Sequence, residues 1–348
     1  MSSIVFFNNK GGVGKTTLVC NVAAYMALRR GLKVLLVDCD PQCNSTQLIL
    51  SSDRWMSLYW EPTGRSPKTL IDVLSPIDVG EASIRDDVMP LRGTRNRFGV
   101  DLLPGHPRMS IIEDRLSKAW GDLSGGDIGG IRITNWVTNL ARVYGARYDV
   151  IFFDVGPSLG SLNRTVLLGA DYFVTPMGAD IFSVVAIRNI AEWLSSWLEI
   201  YRTGLHLCET SRHPGMLARY DINANNPQHA SFAGYTVQQY ITKSKQGVRR
   251  PTEAFEQILS RVPEEIEKRL GPLLASHLTP ADAKLGDVPN MFSLIPLAQS
   301  VNAPIAELRS SDGLVGGQYR QQANYAATIE AMSKVLAINV GLPEAGRP

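Results

Sequence analysis

Asn9-Lys10-Gly11-Gly12-Val13-Gly14-Lys15-Thr16-Thr17 decides how this chain is read. The apolar run Ile4-Val5-Phe6-Phe7 precedes it, and an apolar-periodic stretch from Leu18 to Leu28 follows. Strand, glycine-rich turn and helix in that order aim several backbone N–H groups and the positive end of a helix at one spot, where a phosphate chain fits. Gly11, Gly12, Val13, Gly14, Lys15, Thr16 and Thr17 are the expected cradle. Lys15 reaches the β- and γ-phosphates, and the Thr16 hydroxyl ligates Mg²⁺. The expected ligand is ATP or GTP.

The usual loop is G-x-x-x-x-G-K-[ST], but Asn9 stands where the first glycine belongs, and a second lysine, Lys10, precedes Gly11-Gly12. A lysine there is not needed to hold phosphates within one subunit. K-G-G-x-G-K-T is the deviant Walker A loop, and through it the chain resembles the ParA/MinD family of dimerising ATPases. The resemblance implies that Lys10 crosses to the partner subunit's phosphates in an ATP-dependent homodimer, stabilising charge as an arginine finger does. A glycine turn with two solvated lysines is the plain alternative, and the strand and helix context oppose it.

The 348 residues are enough for one large domain or two small ones. Hydrophobic content of 44% and charged content of 20% read as globular. A net charge of +2 advertises no global field for nucleic acid, so any DNA contact needs a local patch. No apolar run of about 18–20 residues predicts a membrane span. The first strand begins by Ile4, which leaves no room for a signal peptide or an N-terminal winged helix. The four cysteines form no Cys-x-x-Cys pair, which argues against an iron–sulfur or zinc site. A cytoplasmic protein with reduced thiols is expected, nucleoid-associated if it binds DNA.

Lys33–Asp38 reads as a second buried strand, followed by Cys39-Asp40-Pro41-Gln42 at the end where open α/β sheets bind ligands. Residues 51–100 are the least regular stretch, with a short helix at Lys68–Leu74. Val100–Pro104 is an expected strand and residues 131–143 an amphipathic helix. Tyr148–Asp154 is an apolar strand ending in a carboxylate, and Ala170–Pro176 is another strand. Ile181–Tyr201 is a long helix with Trp193 and Trp197 on one face, a pair that belongs to a core or subunit contact. Residues 203–230 read as an exposed insertion. Ala233–Thr242 is a strand, Pro251–Leu270 a helix, Met291–Pro296 a last short strand and Tyr325–Leu336 a C-terminal helix. The alternation predicts an α/β fold with a doubly wound, mostly parallel sheet. Residues 1–340 are expected as one P-loop ATPase domain with insertions at about 51–100 and 203–230, and 341–348 as a tail. A semi-independent lobe over 203–290 is the other layout.

Hydrolysis needs charge neutralisation at the phosphates, a metal and a positioned water. Lys15 and the loop supply the first, and Thr16 with Asp154 the second. The resemblance to the family's D-x-D-P-Q motif assigns Asp40 to orient the attacking water and Asp38 to support the Mg²⁺ shell or the loop. Asp-x-Asp-Pro is also a good loop opener, which leaves a structural role open for both. Asp154-Val-Gly-Pro-Ser-Leu resembles the family's D-A-P-P-S-L switch with Gly156 for the first proline, a change that frees the backbone. Asn163 matches an Asn that the family keeps near the dimer interface; a helix-start residue is the alternative. Ile295-Pro296-Leu297-Ala298 matches the segment whose backbone holds the base, so Pro296 and Leu297 are candidate nucleotide contacts. No Asn-Lys-x-Asp signature appears, which favours ATP over GTP.

The resemblance also implies a dimer that binds non-specific DNA, positions DNA or protein cargo, and releases when a ParB-like or other partner triggers slow hydrolysis. Lys243, Lys245, Arg249 and Arg250 form the basic cluster suited to phosphates. Leu297 and Ala298 stand where the family's I-P-R-N places a second DNA-contact arginine. A ParA-like switch serving as a regulatory or assembly subunit of a defence, conjugation or secretion complex is the alternative. A MinD-type membrane helix is not expected, because Ile338–Pro348 is short and broken.

Overall fold

The computed structural model describes residues 1–60, 68–224, 229–238, 243–245, 248–250, 253–291 and 293–344. Its strands are β1 (Ser2–Phe6), β2 (Val34–Asp38), β3 (Asp101–Leu103), β4 (Val150–Asp154), β5 (Tyr172–Gly178), β6 (Ser231–Gln238), β7 (Lys243–Lys245), β8 (Val248–Arg250) and β9 (Lys284–Val288). The helices are α1 (Lys15–Leu28), α2 (Asn44–Ile49), α3 (Ser52–Trp60), α4 (Leu70–Val73), α5 (Ser75–Asp78), α6 (Met109–Ser124), α7 (Ile128–Thr134), α8 (Trp136–Gly145), α9 (Ser161–Gly169), α10 (Ile181–Leu207), α11 (Glu253–Leu270), α12 (Leu294–Ser300) and α13 (Gln318–Asn339).

Seven strands form one all-parallel sheet in the order β3-β2-β4-β1-β5-β6-β9. Side chains alternate across a strand, so each apolar strand feeds two cores. Ile4, Phe6, Leu36 and Phe152 join one core, covered by α1, α2, α12 and α13. Val5, Phe7, Val37 and Phe153 join the other, covered by α6–α11. Helix α1 is buried on nearly every face because α13 packs outside it, which explains its weak amphipathic pattern.

The central strands place the site. Asp38 of β2 lies in register with Asp154 of β4, and Phe6 of β1 with Asp154 on the other side. The parallel sheet therefore brings both carboxylates and the loop after β1 to one C-terminal edge.

Several expected elements are corrected. The helix expected over 131–143 is two, α7 and α8, broken at Asn135. The Asn135 amide donates to the Ile131 carbonyl at 2.8 Å and its Oδ1 accepts from the Tyr201 hydroxyl at 3.0 Å, fixing the corner. Among the described residues of Met291–Pro296 there is no strand. Leu294–Ser300 is helix α12, with Pro296 in the first turn, where no N–H is missed, and the last strand is β9 at Lys284–Val288. Residues 203–230 are not wholly exposed: Leu205, Cys208 and Leu217 are core, because α10 carries its apolar stripe past Tyr201. Trp193 and Trp197 pack in that core, as expected. Helices α3 and α6 lie where no helix was expected.

Candidate nucleotide-binding site

Gly12 and Gly14 adopt φ of 76° and 71°, a backbone that glycine takes without strain, and Gly14 is the N-cap of α1. The free N–H groups of the first α1 turn face a cavity of about 730 Å³. Gly11, Gly12, Gly14, Lys15, Thr16 and Thr17 line its floor, with Asp40, Gln42 and Asn44 on one wall and Val155 and Pro157 on another. Lys15 is buried, and its Nζ donates to the Lys10 carbonyl at 3.3 Å. Burial lowers its pKa, against the pull of Asp154 and Asp40.

Asp154 is fully buried. Its Oδ2 accepts from the Ser45 hydroxyl at 2.6 Å, and the Thr16 hydroxyl lies close enough to favour the charged carboxylate. Its Oδ1 has no hydrogen-bond partner among the described residues. Desolvation pushes Asp154 up to about 6, with the Ser45 and Thr16 hydroxyls opposing. An orphaned carboxylate oxygen beside a hydroxyl is a hard oxygen donor set, and it fits Mg²⁺.

Asp38 occupies another position. Its Oδ2 accepts from the Thr46 N–H at 2.8 Å and the Thr46 hydroxyl at 2.7 Å, and its Oδ1 from the Asp40 N–H at 3.2 Å. Thr46 Oγ1 in turn accepts from the Gly105 N–H at 3.0 Å. Asp38 ties the ends of β2 and β3 to α2 from behind the cavity, and burial beside Asp154 pushes it up to about 8. Asp40 lines the cavity; its Oδ1 accepts from the Gln42 N–H at 2.9 Å and its Oδ2 from the Asn44 amide at 3.3 Å.

Gly156 has a reason besides backbone freedom: a Cβ there would lie 3.2 Å from Asp40 Oδ1. Asn163 is buried, and its amide donates to the Gly156 and Ser158 carbonyls, both at 2.8 Å. It braces the loop after β4 rather than capping α9. The four cysteines are buried and free, and burial pushes the Cys20 and Cys39 thiols well up.

These features agree with the comparisons. The AAA_31 family, described as an AAA domain, matches residues 1–206. The chain belongs to this family, of the ParA/MinD type. It is 32% identical over 206 residues to the chromosome-partitioning ATPase Soj of Thermus thermophilus, covering 58% of this chain and 64% of that protein. It is 28% identical over 196 residues to the virulence plasmid ParA family protein pGP5-D of Chlamydia trachomatis, covering 56% and 63%. The alignments thus span a little under two thirds of such relatives. Among solved structures, protein DIP2308 from Corynebacterium diphtheriae is 35% identical with a TM-score of 0.74, covering 97% of this chain and 98% of that one. pNOB8 ParA bound to nonspecific DNA shares the fold at a TM-score of 0.54 and 17% identity, covering 98% of each chain.

The ParA/MinD-type loop signature includes Lys10, whose Nζ here pairs with Asp180, the N-cap of α10, and lies 5.9 Å from the Phe182 ring centroid. Pro296 and Leu297 lie on α12 but do not line the cavity; Gln299, Ser300 and Asn302 just beyond them do. Lys243, Lys245, Arg249 and Arg250 lie on an antiparallel ribbon, β7 with β8, in which Lys243 is paired with Arg250. The ribbon follows β6, whose last residue, Gln238, comes near the glycine loop: a Cβ on Gly14 would lie 3.2 Å from Gln238 Nε2. Sequence reasoning missed Ser45, Thr46, Asp180, Asn302 and Trp55. The Asn44-Ser45-Thr46 run after Asp40 was a usable signal for the first two.

Proposed function

We propose that the chain hydrolyses ATP and that ATP closes two copies face to face, the dimer then binding DNA without sequence preference to position DNA or protein cargo. One observation supports the chemistry most: Asp154 Oδ1, buried and unpartnered beside Thr16 and Lys15. Thr16 and Asp154 would hold Mg²⁺, which supplies positive charge to the phosphates when bound. Lys15 and the N–H groups of the α1 terminus bind the phosphate chain. Asp40, anchored by the Gln42 and Asn44 nitrogens, orients the water. Asp38 acts behind them as a brace. Lys10 leaves Asp180 and reaches the partner subunit's phosphates. A partner protein, ParB-like in the partitioning reading, triggers slow hydrolysis and release. A cytoplasmic, nucleoid-associated location goes with this reading.

Phosphate release is the test: Mg²⁺-dependent turnover that is slow alone and rises with DNA plus the partner supports it, and no turnover with Mg²⁺ sinks it. Sizing chromatography with ATPγS tests the dimer, which Lys10→Ala should abolish while nucleotide binding persists. One observation favours the switch-subunit alternative. Leu297, half-buried against the core, stands at the arginine position of I-P-R-N, so no cation is offered there. DNA contact then rests on Lys243, Lys245, Arg249 and Arg250. ATP-dependent DNA binding unaffected by Arg249→Ala/Arg250→Ala would discard that patch, and no DNA binding at all would favour the assembly role.

A further inference from the structure

The cavity has a second end that the loop motif does not build. Beyond the phosphate floor it is lined by Gln47, Leu48, Ser52 and Trp55 on one side and by Gln299 and Asn302 on the other. Asn302 locks the two sides together: its amide donates to the Gln47, Leu48 and Leu50 carbonyls at 2.9, 3.1 and 2.9 Å. This end is a fixed slot between two segments distant in sequence, with one large flat side chain in its wall.

That side chain is Trp55, on α3. It is half-buried and packs against the core beneath α1 and α2. Its ring centroid lies 6.1 Å from that of Tyr59 and 6.3 Å from that of Trp60, each tilted by 42°. Tyr59 is itself held, with its hydroxyl donating to the Gly105 carbonyl at 3.3 Å and the His106 ring edge-on at 5.5 Å. A tryptophan braced in this way keeps an indole surface at the cavity wall at little ordering cost. A purine base offers a flat apolar face with polar edges, and aromatic stacking is the contact that fits it whatever the edge pattern.

We propose that Trp55 is the stacking wall for the base of the bound nucleotide. The proposal rests on the reading of this cavity as an ATP site and adds a contact from α3, outside the loop motif. On that reading the phosphates sit at the glycine loop and the α1 terminus, away from Trp55, so the base contact and the phosphate contact are separable.

Calorimetric titration with ADP and with inorganic tripolyphosphate, which has no base, separates them. Trp55→Ala should weaken ADP about tenfold or more and leave tripolyphosphate within about twofold. Trp55→Phe, which keeps a ring, should recover most of the ADP affinity. Unchanged ADP affinity in Trp55→Ala overturns the proposal. So does an equal loss for tripolyphosphate, which marks a structural role, or a Trp55→Phe variant as weak as Trp55→Ala. Wild-type protein that binds neither ligand would overturn the ATP reading itself, an outcome visible before any variant is made.

Discussion

The two ends of the cavity are built on opposite principles. The phosphate end comes from three neighbouring strand ends, and its groups are backbone N–H groups, one buried lysine and buried carboxylates in register. The distal end comes from α2–α3 and the residues after α12, about 250 positions apart, tied by the side chain of Asn302. Phosphate chemistry dictates geometry to a fraction of an ångström, so it compresses into a short motif on rigid strands. Base recognition asks only for a slot with a flat wall and an edge contact, and many segments can supply that.

The sharpest test of the comparison is at the phosphate end. Lys15→Ala removes the buried cation facing the phosphates and leaves Asp40 and Asp154 uncompensated. Affinity for ADP should fall by on the order of 10²- to 10³-fold by calorimetry. A tenfold effect or less would mean that the distal end carries the affinity. Asp40→Asn should leave ADP binding nearly intact but slow phosphate release by on the order of 10²–10³-fold. Parallel losses of binding and turnover would demote Asp40 to a loop brace like Asp38.

The same contrast explains what the sequence made legible. Strand, glycine loop and helix over residues 4–28, and the strands ending in Asp38 and Asp154, were readable because continuous apolar runs and glycine spacing are local signals. The roles of Asp38 and Asp40 were not separable locally. Both stand in one Asp-x-Asp-Pro turn, and only the fold of α2 brings Thr46 under Asp38 and leaves Asp40 facing the cavity. Pro296 and Leu297 lie on α12, and its helical turn carries the cavity lining on to Gln299 and Ser300. Asn302 was invisible because its three acceptors are backbone carbonyls some 250 residues away. α3 was missed because its aromatics show no clean period beside the polar run of 51–54, and only packing decides it.

Asn302→Ala probes the distal end with a middling effect. It leaves carbonyls of residues 47, 48 and 50 without their shared donor, at a cost of about 1–3 kcal/mol. The melting temperature should drop by several degrees, and ADP should weaken more than tripolyphosphate. Equal weakening of both would show that the two ends move as one body.

A smaller effect follows from the buried carboxyls. Asp154 is pushed up to about 6 and Asp38 to about 8 by desolvation, so the folded ligand-free chain keeps protons that the unfolded chain has lost above about pH 4. Unfolding releases those protons, and the stability they contribute therefore falls as pH rises, first through 6 and then through 8. Melting of the ligand-free protein should decline over that window. Mg²⁺ with ADP should flatten the decline, because a cation beside Asp154 favours its charged form. A ligand-free melting temperature that climbs from pH 5 to 8 would contradict the buried geometry.

The smallest effect on stability belongs to the Lys10–Asp180 pair, and its functional reach is larger. Both side chains are about one third exposed, so breaking the pair should cost well under about 1 kcal/mol. Asp180 Oδ1 also accepts from the Ser183 N–H at 3.1 Å, capping α10. Asp180→Asn keeps an acceptor for that cap and removes the charge that holds Lys10. If Lys10 must leave Asp180 to reach the partner subunit's phosphates, the variant dimerises with ATPγS at lower protein concentration than wild type, with melting nearly unchanged. Equal dimerisation would show that the pair does not restrain Lys10, and weaker dimerisation would place Asp180 itself in the interface, next to the exposed Ile181, Phe182 and Val185.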